Sequence, residues 1–256
     1  LLVTALAQGS SSLRSRLPGL LAQSKLLMQV EDEYRIQTDE SRAWNDEFAA
    51  QYNLIANDNH RVDAERADRL RKRFSQATGK MTLLHGNAKV ARTPQVLFEG
   101  ALPGDAGDKL YIWVRDGWAV DENSFRADAR QAGNEAPTLF VFLPRRSGDD
   151  LRTQIINFKA ATATLDKRGA PNSPEGMEAR AAIETVRQTA ERRIDELIGD
   201  ILAGARVFQG GGAEVVGVNL AASIQEAAGN ALVRLYSEFH WADQAGWDHV
   251  YTRAQK

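Results

Sequence analysis

The 256-residue sequence contains no cysteine, which excludes disulfides, thiolate metal ligands and thiol nucleophiles together. No apolar run reaches the roughly 18 to 20 residues that a membrane-crossing helix needs, so no membrane partner is expected. Charge of one sign is also missing: 32 Lys and Arg stand against 34 Asp and Glu, for a net charge of −2. Such a balance gives no global attraction to a phosphate backbone, and any nucleic-acid contact has to come from a local patch. The chain opens on Leu1, Leu2 and Val3 with no basic leader and no small-residue cleavage pattern. The expectation is a piece of a larger cytoplasmic protein, cut inside a domain.

Catalytic signatures are scarce as well. A P-loop needs a glycine-rich turn ending in Lys followed by Ser or Thr, and the nearest string, Thr78-Gly79-Lys80-Met81-Thr82, puts Met where the hydroxyl belongs. That string reads as a turn entering a strand. Gly210-Gly211-Gly212 can nest an anion through backbone amides, but no Lys closes it and no strong strand precedes it, which favours a flexible turn. His60, His85, His240 and His249 lack two-ligand helical spacing, and His85, in His-Gly-Asn, reads as a turn residue. No nucleophile elbow is present. No catalytic residue, metal ligand or cofactor is therefore assigned to this chain.

With 43% hydrophobic residues, the chain can bury a core. The pattern predicts a mixed α/β fold in three parts. Residues 1–39 read as the end of a winged helix: Leu13, Leu17, Leu20 and Leu21 recur at helical spacing, and a hairpin follows in which Leu27, Gln29, Val30 and Tyr34, Ile36 flank Glu31-Asp32-Glu33. Arg14, Arg16 and Lys25 are its candidate nucleic-acid contacts, but three consecutive carboxylates at the wing tip oppose phosphate and favour a structural or protein-docking role. Residues 40–78 read as linker helices. Trp44, Phe48, Tyr52 and Ile55 lie on one face, and Val62, Ala67, Leu70 and Phe74 mark a second helix whose Arg66, Arg69, Arg71, Lys72 and Arg73 are interleaved with Asp63, Glu65 and Asp68, which favours a solvated mixed face over a nucleic-acid groove.

Residues 79–256 read as an α/β domain. Met81–Leu84, Gln95–Phe98, Leu110–Val114 and Leu139–Leu143 are short apolar runs bounded by turn residues. Asp121 can cap a helix carrying Phe125, Ala129 and Ala132 that ends at Gly133, which completes a β-α-β unit with parallel strands. Ser147 and Asp150 have capping-box spacing ahead of a helix ending near Gly169. Ser173-Pro174-Glu175 opens a long helix over about 174–204, striped by Ile183, Val186, Ala190, Ile194, Leu197, Ile198 and Ile201. At about 45 Å it exceeds what a small domain needs, which makes Leu197 and Ile201 candidates for docking a partner. A last helix holds Ile224, Ala228, Leu232, Leu235 and Phe239, with Trp241 and Trp247 beyond.

Ligands of parallel sheets bind outside the carboxyl ends of the strands. Here those ends carry Arg115-Asp116 and Arg145-Arg146. They can form one rim that takes a phosphate or an acidic peptide, or Asp116 can pair with one Arg while the others face water.

Four stretches carry a family resemblance: Leu27 to Thr38, Trp113 to Trp118, Ala136 to Pro144, and Ser173 to Gly212 with its Val207-Phe208-Gln209-Gly210-Gly211-Gly212 end. In that order they resemble an internal region of the large P-loop ATPase of BREX bacteriophage-defence systems, the BrxC or PglY type, over nearly all of the chain. The resemblance implies a parent protein that binds ATP and magnesium through an earlier P-loop domain and acts with a DNA methyltransferase and other BREX proteins, restricting phage DNA and marking host DNA. The nucleotide-binding motifs are absent here, so ATP hydrolysis does not carry over. The chain then reads as a non-catalytic scaffold or coupling region that docks other BREX components. The alternative is a module that binds DNA through its winged helix and basic rim.

Overall fold

A computed structural model describes residues 27–30, 33–36, 38–87, 89–98, 100–102 and 109–239. The fold is mixed α/β. In chain order the elements are β1 (Leu27–Val30), β2 (Glu33–Ile36), α1 (Asp39–Ala56), α2 (Asn59–Thr78), β3 (Leu83–His85), β4 (Val90–Arg92), β5 (Gln95–Leu97), β6 (Tyr111–Asp116), α3 (Glu122–Gln131), β7 (Leu139–Leu143), α4 (Gly148–Arg168), α5 (Pro174–Ala203), β8 (Arg206–Phe208), β9 (Glu214–Val215) and α6 (Leu220–Leu235). They fall into two compact units, one of Leu1–Val62 with Thr153–Arg192, the other of Asp63–Arg152 with Arg193–Lys256. The chain passes between them inside α2, α4 and α5. Among the described residues no helix is long and apolar enough to cross a membrane.

Among the described residues the first unit is helical, apart from the antiparallel β1–β2 hairpin. The hairpin matches the expected one, except that Glu33 pairs with Val30 as part of β2 and does not belong to the turn. The preceding helix, the wing-tip residues Glu31 and Asp32, and the candidate contacts Arg14, Arg16 and Lys25 lie outside the described residues. Thr38 caps α1 by accepting from the Ser41 amide at 3.1 Å. Trp44 is buried among Ala161 of α4 and Ala179 and Ile183 of α5. Small side chains opposite an indole leave room for its volume without a void. At the C-terminal end of α4, Lys167 pairs with Glu47 at 2.8 Å, and Arg168 donates to the Ala43 carbonyl at 3.0 Å with its guanidinium over Trp44.

The second unit is built on a five-stranded sheet of order β5-β6-β7-β8-β9. β5, β6 and β7 are parallel, while β8 and β9 continue from β7 as antiparallel strands. β7 is the central strand, and all five of its side chains are buried, as an unbroken apolar run demands of a strand covered on both faces. Phe140 and Phe142 point to the face where Trp113, Phe125, Ala129 and Phe208 complete a core cluster. As expected, β6 and β7 are parallel with α3 between them; Asp121 caps α3 through the Ser124 amide at 3.0 Å, and Gly133 turns the chain at φ +81°. The α5 bounds also agree with the stripe read from the sequence, and Ser173 Oγ accepts from the Gly176 amide at 3.1 Å.

Several expectations are corrected. Ser147 has φ +44°, not the extended backbone of an N-cap, and Asp150 pairs with Arg193 at 3.0 Å. His85 is not a loop residue: it ends β3, is buried, and stacks on Phe239 at 4.2 Å. Its partner strand β4, and the strands β8 and β9 on either side of the triple glycine, have no counterpart in the sequence reading.

Candidate functional site

Strands β6 and β7 end side by side, with Asp116 in register with Leu143 and the Gly117 amide donating to the Leu143 carbonyl at 2.9 Å. Gly117 is required there, because a Cβ would stand 2.7 Å from the Arg145 backbone nitrogen. The four rim residues therefore begin from neighbouring positions, but their side chains part company.

Asp116 pairs with no arginine among the described residues. Its Oδ1 accepts from the amides of Trp118 and Ala119 at 2.9 and 3.1 Å, so the carboxylate fixes the turn that follows its own strand. Arg146 leaves the rim: its guanidinium lies against Gly204, just past the C-terminal end of α5, where a cation is favoured by the helix dipole. Arg145 is exposed and its guanidinium lies 6.0 Å from the Trp118 ring, which Arg66 covers from 4.6 Å. Arg115 folds back, donating to the Gly100 carbonyl at 2.7 Å, with its guanidinium 5.6 Å from the Trp113 ring.

Arg115 instead faces a cleft at the carboxyl end of β6 and β7. The cleft encloses about 470 Å³ including the solvent at its mouth. Its floor is Leu70, Val114 and Leu143, each buried, and its rim includes Arg71, Phe98 and Arg115. Arg71 lies over the Phe98 ring at 5.4 Å, and Phe98 is braced edge-on by buried Phe74 at 5.6 Å. Arg71 is exposed, as the reading of α2 as a solvated mixed-charge face has it, but that reading did not place it beside a cleft. The usable signal was spacing: Ala67, Leu70, Arg71 and Phe74 stand at i, i+3, i+4 and i+7 and share one side of the helix. Its neighbours Arg66 and Arg69 are paired, with Asp63 and Glu65, at 2.7 Å each. Neither Arg71 nor Arg115 has a carboxylate partner among the described residues.

The triple glycine is not a nest. Gly210 is buried, and the amides of Gly211 and Gly212 donate to the carbonyls of Ala129 and Gln209 at 2.8 and 3.0 Å. Gly211 and Gly212 have φ of +85° and +79°, which glycine adopts without steric cost. The run is the turn of the β8–β9 hairpin, packed on the end of α3. Beside it Arg206 pairs with both Glu122 and Glu214, and the Arg206 guanidinium holds the Glu214 carboxyl below its ordinary range.

Leu197 and Ile201 are 2% and 0% exposed. Both side chains are spent inside the chain, so they do not form a docking stripe. The long helix is long because the chain itself buries it, from Ile183 to Leu202. His240, Trp241, Trp247 and His249 lie outside the described residues. No protein-family model matches the chain, and no curated protein or solved structure matches it.

Proposed function

We propose that this chain is a non-catalytic scaffold or coupling region of a BREX-type phage-defence ATPase, docking other components of that system while ATP and magnesium are handled by another part of the parent protein. The identity of the system rests on the sequence resemblance. The observation that supports a non-catalytic role is the state of the glycine turn: the Gly211 and Gly212 amides, which a phosphate would need, are bonded within the chain. A coupling role is also supported by the way the chain passes between its two units within helices and not within loops.

The test uses the whole chain and the purified methyltransferase of such a system. Co-elution of the two on size exclusion, with no ATP hydrolysis by the chain alone, is the expected result. Magnesium-dependent ATP turnover by this chain would contradict the reading, and so would failure to associate with any purified component. Since Leu197 and Ile201 are buried, the informative surface variant is Val216→Asp with Val218→Asp; those two side chains are 79% and 95% exposed beside the sheet-edge strand β9.

A further inference from the structure

We infer that the cleft between α2 and the carboxyl ends of β6 and β7 binds a phosphate group, clasped by Arg71 and Arg115. The inference is independent of the scaffold reading.

Three observations carry it. The cleft stands where parallel sheets bind their ligands. Two of the guanidinium groups on its rim have no carboxylate partner among the described residues, whereas Arg66 and Arg69 on the same helix are ion-paired. Both are also held in place without charge neutralisation, Arg71 over Phe98 and Arg115 by the Gly100 carbonyl with one Nη, leaving its other donors available. A Cβ on Gly100 would stand 3.4 Å from that Nη, so the glycine keeps the approach open.

Charge and acceptor count select the ligand. Asp116 shares the lining and opposes an anion, but its Oδ1 faces the Trp118 and Ala119 amides and two guanidinium groups outweigh it. Two planar forks are best matched by three or four acceptor oxygens, which a phosphate has and a single carboxylate does not. The apolar floor of Leu70, Val114 and Leu143 offers no further polar partner, so the group recognised is the phosphate and not the body that carries it. That phosphate can belong to a small phosphate ester or to the backbone of a single-stranded nucleic acid, and the experiment separates the two.

The whole chain is titrated with inorganic phosphate, with glycerol phosphate and with a fluorescent thymidine oligonucleotide, using acetate at equal ionic strength as the control. Saturable binding of phosphate or its ester is expected, weakened about tenfold or more by Arg71→Gln, because a charge-assisted bond is removed. Arg73→Gln, on the same helix but outside the cleft, should change nothing. Arg115→Lys keeps the charge and loses the fork; it should weaken binding without unfolding the chain, as checked by circular dichroism. If the oligonucleotide binds and Arg71→Gln lowers its log–log salt slope by about 0.7, the phosphate comes from nucleic acid; binding of the small esters alone assigns it to them. Equal binding of acetate, loss of no affinity in Arg71→Gln, or binding of none of the probes overturns the proposal.

Discussion

In the first unit a single indole, Trp44, is buried against Ala161, Ala179 and Ile183, and charged residues at the helix ends close over it. In the second, Trp113, Phe125, Phe140 and Phe142 pack ring on ring with centroids 5.4 to 5.9 Å apart, and Phe208 completes the cluster. Helices brought together by small residues need one large side chain to fill the gap. A sheet facing a short helix needs many, because α3 supplies only Phe125 and Ala129 to the cluster. The sheet core should therefore tolerate less truncation than the helical one tolerates reshaping.

The largest effect should come from Phe125→Ala, which empties the centre of the ring cluster. We expect a loss of about 3 to 5 kcal/mol, measured by urea unfolding; a loss below about 1 kcal/mol would mean that the cluster collapses onto the gap and that the contrast between the units is false. Next is Gly210→Ala, where a Cβ would stand 2.9 Å from the Ala136 carbonyl oxygen and closer still to that of Gly133. Overpacking against backbone should cost about 1 to 3 kcal/mol, read as a lowered urea midpoint. Trp44→Phe in the first unit should cost less than about 1.5 kcal/mol, although Trp44 is only 1% exposed. Its indole N–H is buried with no acceptor among the described residues, and removing an unsatisfied donor offsets part of the lost packing. A loss equal to that of Phe125→Ala would refute this.

The smallest effect is electrostatic. Glu184 in the first unit accepts from Arg187 and Gln188, and chiefly the Arg187 bond lowers its carboxyl from 4.5 to about 2. A depressed carboxyl stabilises the fold above its unfolded value, and that contribution disappears as pH falls from 4.5 towards 2. The pair is part-exposed, so Glu184→Gln should change stability by less than about 1 kcal/mol at neutral pH. The measurable sign is a shallower loss of stability on acidification in that window than the unsubstituted chain shows.

Long runs with one period were legible in the sequence. Leu139–Leu143 reads as a buried strand because every residue in it is apolar, and α5 because its apolar stripe repeats from Ile183 to Ile201, about five turns, behind a proline start. What failed to read were elements whose evidence lies elsewhere in the chain. β8 and β9 offer only Arg-Val-Phe and Glu-Val, and their charged residues look like loop residues until Arg206 and Glu214 are seen to neutralise each other across the ladder. The burial of Leu197 and Ile201 was equally invisible, since an apolar stripe does not say whether its cover is internal. For the rim, chain position was legible and direction was not: Arg115, Arg145 and Arg146 start as neighbours, but Gly100, Trp118 and Gly204, which draw them apart, are distant in sequence.

The place of β8 in the sheet has a consequence in time. Phe208 sits in register with Phe140, but α4 and α5 are both made between them. While those helices are being synthesised, β7 is an open edge of five apolar residues with its backbone unpaired on one side, the kind of segment that recruits other strands. Sheet closure over so long a separation is also slow. A chain ended at Gly204 should therefore aggregate during expression, and one extended through Val215 should not; a soluble, monomeric product from the shorter chain would show that something other than β8 guards the edge.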